Sequence, residues 1–529
     1  MKKATKRILA LALCLIMALS MVACGAKSEP APAPAPEAAP APEAAPAPAP
    51  APEAAPEAAP EAPAEPEREH VTLKWYVAGS GPQADTPAVL EEVNKYLTEK
   101  LNCSLEIVET DFGSYDQKMQ MVISSQEEFD ICWTANWSNN FYTNVSKNAF
   151  LELDELVDTY APELKALVPQ GGWDACKVNG NLYGVPSMQI WAMTNGVGIK
   201  REVAAEYGWT EDKFDITLAD LDAFLADYKA ANPDVYPIGV DTQGLLAFNT
   251  FTMGYDELAG RHIPGVVKLD DASLTVVNQF TLPEVQEFYK LMYTWAQNGY
   301  IRPDGSTVPD YKPDMKNGMH VVAPIGTYKP EAQSSLVSVY GSEIVFGLTS
   351  DSYLTTSGIT ATMNAISRTS KNPERAMEFL NLLNTDAYLY NLITQGIEGV
   401  HYENLGDGYI RPIEGSGYAP NADWMYGNQF LAYLKEGQNP DDWTITQELN
   451  ATATPSVAMG FVFDPVPVQN EIASVSAVVN EYETALCTGV LNPDEYLPEF
   501  LEKLNAAGAE VIVAEVQAQL NAWAAANGK

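Results

Sequence analysis

Histidine is almost missing from this chain: four occur in 529 residues, His70, His262, His320 and His401, and none stands at metal-ligand spacing from another or from a cysteine. An H-E-x-x-H zinc helix therefore has no residues to build it. Cations are scarce as well, 31 Lys+Arg against 70 Asp+Glu, for a formal net charge of -39. A nucleic-acid backbone needs a basic surface to release its counterions, so nucleic acid is excluded as a partner. Mean hydropathy is -0.14, and apart from Ile8 to Val22 no apolar run approaches the ~20 residues that span hydrocarbon. C-x-x-C, P-loop and G-x-S-x-G sequences are all lacking, and Gly79-x-Gly81 has no third glycine at dinucleotide spacing, so no cofactor is expected. With so many carboxylates some must lie close together, and their spacing carries no information about glycoside hydrolysis.

The chain opens with an address. Lys2, Lys3, Lys6 and Arg7 precede the apolar stretch Ile8 to Val22, the pattern of a secretory signal peptide. Met21-Val-Ala-Cys24-Gly resembles a bacterial lipobox, in which small residues lead to a cysteine that is diacylated, with palmitate among the acyl chains, and becomes the first mature residue. The expectation is a leader over 1–23 and a lipid anchor on Cys24. Between Cys24 and Glu69 lies a tract of Ala, Pro and Glu without an aromatic, which cannot build a core. At about 3.1 Å per residue in polyproline II it would reach roughly 140 Å, a stalk holding the folded part off the membrane. Cys103, Cys132, Cys176 and Cys487 remain for the fold, and so few scattered thiols read best as small buried hydrophobes.

Val71 to Ala78 reads as a strand, Thr86-Pro87 opens a helix, Leu105 to Val108 is a second strand, Met119 to Ile123 a second helix and Asp130 to Trp133 a third strand. Such alternation predicts an α/β fold with a parallel sheet covered on both faces. Thr217 with Asp220 starts a helix that Asn232-Pro233 stops. Pro283 opens another, with Val285, Phe288, Met292 and Trp295 on one face, and Asn372-Pro373 a third. Three more helices are expected near the end, over about Glu471 to Leu486, Pro493 to Ala507 and Val511 to Ala524.

Open parallel sheets place their ligand crevice beyond the strand ends, and this is where several aromatics fall. Trp133 and Trp137 flank Asn136 after the third strand; Tyr183, Trp191 and Asn195 lie in a Gly- and Asn-rich stretch; Tyr328, Trp424 and Tyr426 come later. A sugar offers one apolar C–H face and a rim of hydroxyls, so flat rings interleaved with amides suit it. These nine residues are the candidate carbohydrate site, with Trp133 and Trp424 expected in opposite lobes. Trp295 and Trp523, on helix faces, read as core.

The residues also resemble a known family. Phe129-Asp-Ile131 with Ala149-Phe-Leu-Glu-Leu-Asp154 and Tyr160-Ala-Pro162, the turn Val178-Asn-Gly-Asn-Leu-Tyr183-Gly-Val-Pro186, and the helix start Asn372-Pro-Glu-Arg-Ala-Met-Glu-Phe-Leu380 are similar to segments of the extracellular solute-binding lipoproteins that deliver carbohydrates to ABC importers. Gln395 to Tyr402, and Gly460-Phe-Val-Phe463 through Leu520, resemble a subgroup with an additional C-terminal domain of uncharacterised role. The resemblance implies a two-lobed, periplasmic-binding-protein-like fold with a central cleft that closes by a hinge. It implies one lobe from 70–189 and 318–369, the other from 190–317 and 370–437, and an α-rich module, 438–529, packed on them. The function implied is that of a monomeric, non-enzymatic receptor, lipid-anchored at the outer face of the cytoplasmic membrane, which captures an oligosaccharide and hands it to an ABC permease. A surface glycosidase or lyase acting on glycans, and a peptide receptor on the same lobes, remain the alternatives.

Overall fold

The computed structural model describes residues 68–242, 250 and 252–529; the leader, Cys24 and almost all of the stalk lie outside the described residues. The first sheet is ordered Cys103–Asp111, Val71–Gly79, Ile131–Thr134, Met363–Ile366, Val185–Pro186. Its first three strands are parallel, whereas Met363–Ile366 runs antiparallel to Ile131–Thr134 and Val185–Pro186 antiparallel to it in turn, so the sheet is mixed where a parallel one was expected. Trp75, Tyr76, Val77 and Ala78 are all buried, as a central strand covered on both faces requires. The helix Thr86–Leu101 carries Pro87 in its first turn, buries Val89, Val93 and Leu97, and ends on Asn102 in the left-handed conformation at φ 47.

The second sheet is ordered Val322–Ile325, Gly196–Lys200, Ile344–Leu348, Lys213–Asp215. Its central strands pack tightly: a Cβ on Gly196 would sit 2.4 Å from the Gly347 carbonyl oxygen. This sheet corrects the expected lobe boundaries. Residues 322–348 pair with Gly196–Lys200 and belong to the second lobe, while Met377, Phe379, Leu380, Tyr390 and Met425 are buried in the first core with Trp75 and Val93. The long-range swap arises because the chain crosses back between Leu348 and Met363.

The expected α-rich C-terminal region is formed by the helices Gln469–Cys487, Pro493–Ala507 and Ala509–Ala526, and it packs on the second lobe. Val475, Val479, Phe500, Ile512 and Val516 share one core with Phe288, Met292 and Trp295, and Phe280 meets Phe500 edge-on at 5.2 Å. The helix Leu218–Ala231 starts with the capping box that Thr217 and Asp220 foretold, and Cys103, Cys132, Cys176 and Cys487 are buried free thiols.

The chain passes between the cores three times, and the passages lie side by side. Met193 bridges Tyr353, Tyr353–Leu354 pairs in parallel with Thr454–Pro455, and Asn450 grips the first passage, its Oδ1 accepting from Trp191 N and Ala192 N and its Nδ2 donating to Gln189 O. No described helix is long and apolar enough to cross a membrane, and among the described residues no group of three His, Cys, Asp or Glu side chains is placed to hold a metal.

Candidate functional site: an aromatic face at the strand ends

The three parallel strands of the first sheet end at Gly79, Asp111 and Thr134. Side-chain hydrogen bonds shape the chain beyond the latter two. Asp111 caps the helix Phe112–Ser124, its Oδ1 accepting from Ser114 N at 3.1 Å, which leaves Phe112 as the first helical residue, 42% exposed. After Thr134 the chain turns sharply: Thr134 Oγ1 donates to Asn139 O at 2.6 Å, and Asp116 Oδ1 accepts from Ser138 Oγ and Asn139 N, both at 2.6 Å. The turn pushes Trp137 outward to 55% exposure while its indole N–H donates to Ala361 O at 2.8 Å.

Phe112 lies between two indoles in near-parallel planes, 6.5 Å and 20° from Trp137 and 6.2 Å and 12° from Trp424. Trp133 stands edge-on behind all three, at 6.0 Å from Phe112, 5.4 Å from Trp137 and 6.0 Å from Trp424. The result is a row of flat apolar rings at the strand ends.

Among the nine residues singled out from sequence, the structure brings Trp133, Trp137 and Trp424 together with Asn136 beside them. Trp133 and Trp424 lie in the same lobe, not in opposite ones, because residues 370–435 pack on the first core. Trp133 is 0% exposed and donates its indole N–H to Thr362 Oγ1 at 2.8 Å, so it supports the face from behind. Asn136 Nδ2 donates to Ser357 O and Thr360 Oγ1, pinning the turn to the return passage. Tyr426 is buried edge-on to Trp75, and Trp191 is buried with its indole N–H on Ser187 O; both are core. Tyr183 donates its hydroxyl to Glu152 Oε1 away from this face. Asn195 and Tyr328 are buried in the second lobe, where burial pushes the Tyr328 hydroxyl up to about 12 and its ring meets Phe346 edge-on. Phe112 was missed. It too is an aromatic directly after a strand, the rule that picked out Trp137.

Two cavities, of about 40 and 140 Å³, lie elsewhere, where Arg261, Glu483 and Cys487 meet beside the helix Gln469–Cys487. Both are smaller than the several hundred Å³ of an ordinary ligand pocket.

Over 453 residues, 84% of this chain and 90% of the relative, the sequence is 28% identical to a carbohydrate ABC transporter substrate-binding protein of Streptococcus pneumoniae serotype 4 (strain ATCC BAA-334 / TIGR4). The crystal structure of the N-glycan transport solute binding protein NgtS from Streptococcus pneumoniae superposes with a TM-score of 0.76 at 27% identity, covering 85% of this chain and 98% of that one. In sequence and in fold the chain is similar to the carbohydrate ABC-transporter solute-binding proteins. Residues 457–525 match a domain of unknown function, DUF3502, a span that here includes nearly all of the three C-terminal helices that complete the second core. The NgtS complex with Man5GlcNAc superposes at a TM-score of 0.64 and 27% identity, again over 85% and 98% of the two chains. The alginate-binding protein AlgQ2, at 15% identity and a TM-score of 0.59, shares the fold.

Proposed function

We propose that this protein captures an extracellular oligosaccharide between its two lobes and delivers it to an ABC import permease. The observation that carries this reading is the row Phe112, Trp137 and Trp424, with two rings 42% and 55% exposed at the strand ends: large rings left in water on one lobe are what a sugar-stacking half-site needs. The second lobe supplies the other half on closure about the three passages. Closure would also account for the poorer superposition of the NgtS complexes with Man1GlcNAc and Man5GlcNAc, at 0.67 and 0.64, than of the NgtS structure at 0.76. The protein acts as a monomer and leaves the glycan chemically unchanged; Cys24, acylated, ties it to the outer face of the membrane, and the Ala/Pro/Glu tract serves as its tether.

Man5GlcNAc is the first glycan to test, by thermal shift and calorimetry. At a hundredfold excess over Kd a bound ligand adds about 2.7 kcal/mol of stability. No shift and no heat across a broad neutral and acidic glycan panel would overturn the reading. Released product after long incubation would replace it with a glycosidase.

A further inference from the structure

The three passages differ in what holds them between the lobes. The first two hold each other: Met193 and Tyr353 exchange both backbone hydrogen bonds, at 2.7 and 3.0 Å, and Thr194 Oγ1 meets Ser352 Oγ at 2.6 Å. The third turns over Ser456 to Gly460, and within that turn the two cores divide the chain: Val457 packs on the second core and Met459, two residues on, packs on the first. Val457 N donates to Leu269 O of the second lobe at 3.0 Å, and Gly460 N to Thr356 Oγ1 of the second passage at 2.8 Å.

The last helix, Ala509–Ala526, reaches this turn. Lys529, three residues beyond it, donates from Nζ to Val457 O at 3.0 Å and to Met459 O at 3.4 Å. The same ammonium lies 4.5 Å from the centroid of the Trp523 ring, and Trp523 meets Phe461 edge-on at 5.9 Å. Gly460, at φ 90, passes so close that a Cβ there would stand 3.7 Å from Trp523 Cζ2 and 4.0 Å from Asp174 O of the first lobe. One ammonium thus bridges the carbonyls of two residues that belong to different cores. When the lobes rotate about the passages the two carbonyls move apart from this arrangement, and the bridge is lost on one side. Phe112 and Trp137 stand 42% and 55% exposed, so the bridge belongs to a conformation in which the aromatic face is uncovered.

The helices that match the domain of unknown function therefore touch the hinge itself. We infer that they restrain closure: Trp523 and Lys529 clamp the third passage at Val457 to Gly460, favour the open arrangement of the lobes, and set how far a ligand must work to close them. From the reading above this takes only the closure of the lobes about the passages, not the identity of the ligand. Hydrogen bonds from an ammonium are charge-assisted and stronger than neutral ones. A ligand that binds only the closed form loses apparent affinity in proportion to the chains that are not closed, so releasing the clamp raises affinity.

The test reads lobe separation in the full chain without ligand, by pulsed electron resonance between spin labels on Glu91→Cys in the first lobe and Glu211→Cys in the second, both exposed positions; the four native thiols of the fold are buried. Lys529→Met keeps the aliphatic stem beside Trp523 and removes the donor. It should melt within about 1 °C of wild type, extend the distance distribution to shorter separations, and bind Man5GlcNAc about 3- to 10-fold more tightly by calorimetry. Trp523→Leu, a second variant, should move the distribution the same way. Leu501→Ala, which thins the same helical core from the middle helix, should lower the melting temperature and leave the distribution unchanged. Distributions like wild type in both Lys529→Met and Trp523→Leu overturn the clamp, whatever the ligand. Weaker glycan binding by a normally melting Lys529→Met protein overturns it too, because the bridge would then favour the closed form. A shifted distribution in a protein that binds no glycan of the panel upholds the clamp and overturns the carbohydrate reading alone.

Discussion

Trp133 and Trp137 are four residues apart and their rings touch, yet truncating each should produce opposite phenotypes. Trp133 is 0% exposed, is bonded through its indole to Thr362, and meets Phe112, Tyr115, Trp137 and Trp424. Trp133→Ala leaves a cavity of a whole indole, at about 3 to 5 kcal/mol, and removes the donor to Thr362 Oγ1, which keeps only its bond to Ser187 Oγ, for about 1 kcal/mol more. At about 2 cal/mol/K of unfolding entropy per residue over the folded part, that lowers the apo melting temperature by roughly 5 °C. Trp137 is 55% exposed and holds one hydrogen bond, to Ala361 O. Trp137→Ala should cost under ~1 kcal/mol of stability, but remove a stacking face worth about 1.5 to 3 kcal/mol, or roughly 10- to 150-fold in affinity. Differential scanning calorimetry of the apo proteins and titration calorimetry with Man5GlcNAc, or the tightest glycan found, separate the two. A Trp137→Ala protein that melts normally and binds as tightly as wild type refutes sugar stacking on this ring. A Trp133→Ala protein that melts like wild type refutes its place in the core.

Burial raises Asp256 to about 6 against an ordinary 3.8, with the Ser456 hydroxyl offsetting part of the effect. The folded state thus holds this proton more tightly than the unfolded chain, so its contribution falls as pH rises from about 4 to about 6, by about 3 kcal/mol. Asp256→Asn should flatten that part of the stability profile and stabilise the protein at pH 7; an identical slope in the variant counts against it. Cys24→Ser should leave the protein as uncleaved precursor or release it to the medium, read by fractionation, and normal membrane retention would contradict acylation. Ligand should reduce the radius of gyration measured by small-angle scattering, and confirmed binding at constant radius would speak against closure about the three passages.

Local chemistry made much of the fold legible and left its assembly hidden. Helix starts were written in capping residues, Thr217 with Asp220 and Pro283, because those interactions span only a few positions. Sheet membership was not: nothing near Val322–Ile325 or Ile344–Leu348 says that their partner is Gly196–Lys200, beyond the glycines that let the strands approach. The family order therefore gave two lobes with two segments exchanged, and that exchange alone put Trp133 and Trp424 on opposite sides. At the site, position after a strand found Trp137 but could not separate it from Trp133, since one sits on the last buried positions of the strand and the other on the turn beyond. Phe112 obeys the same rule and was overlooked because it falls on a helix start.

The three passages between the cores have a consequence for how the protein is made. Neither core is continuous in the chain: Trp75 donates to Asn364, 289 positions on, and Phe280 must wait for Phe500. A growing chain emerging at about 5 to 20 residues per second cannot finish the first core before Ala432 is out, nor the second before its last helix is, and such long-range closure is intrinsically slow. The nascent polypeptide thus stays unlocked for most of its synthesis, a state suited to threading through a membrane pore before folding. The three C-terminal helices then act as a completion check: a chain truncated before Gln469 lacks the part of the second core that Val475, Phe500 and Ile512 provide, leaving Phe288 and Trp295 open to proteolysis.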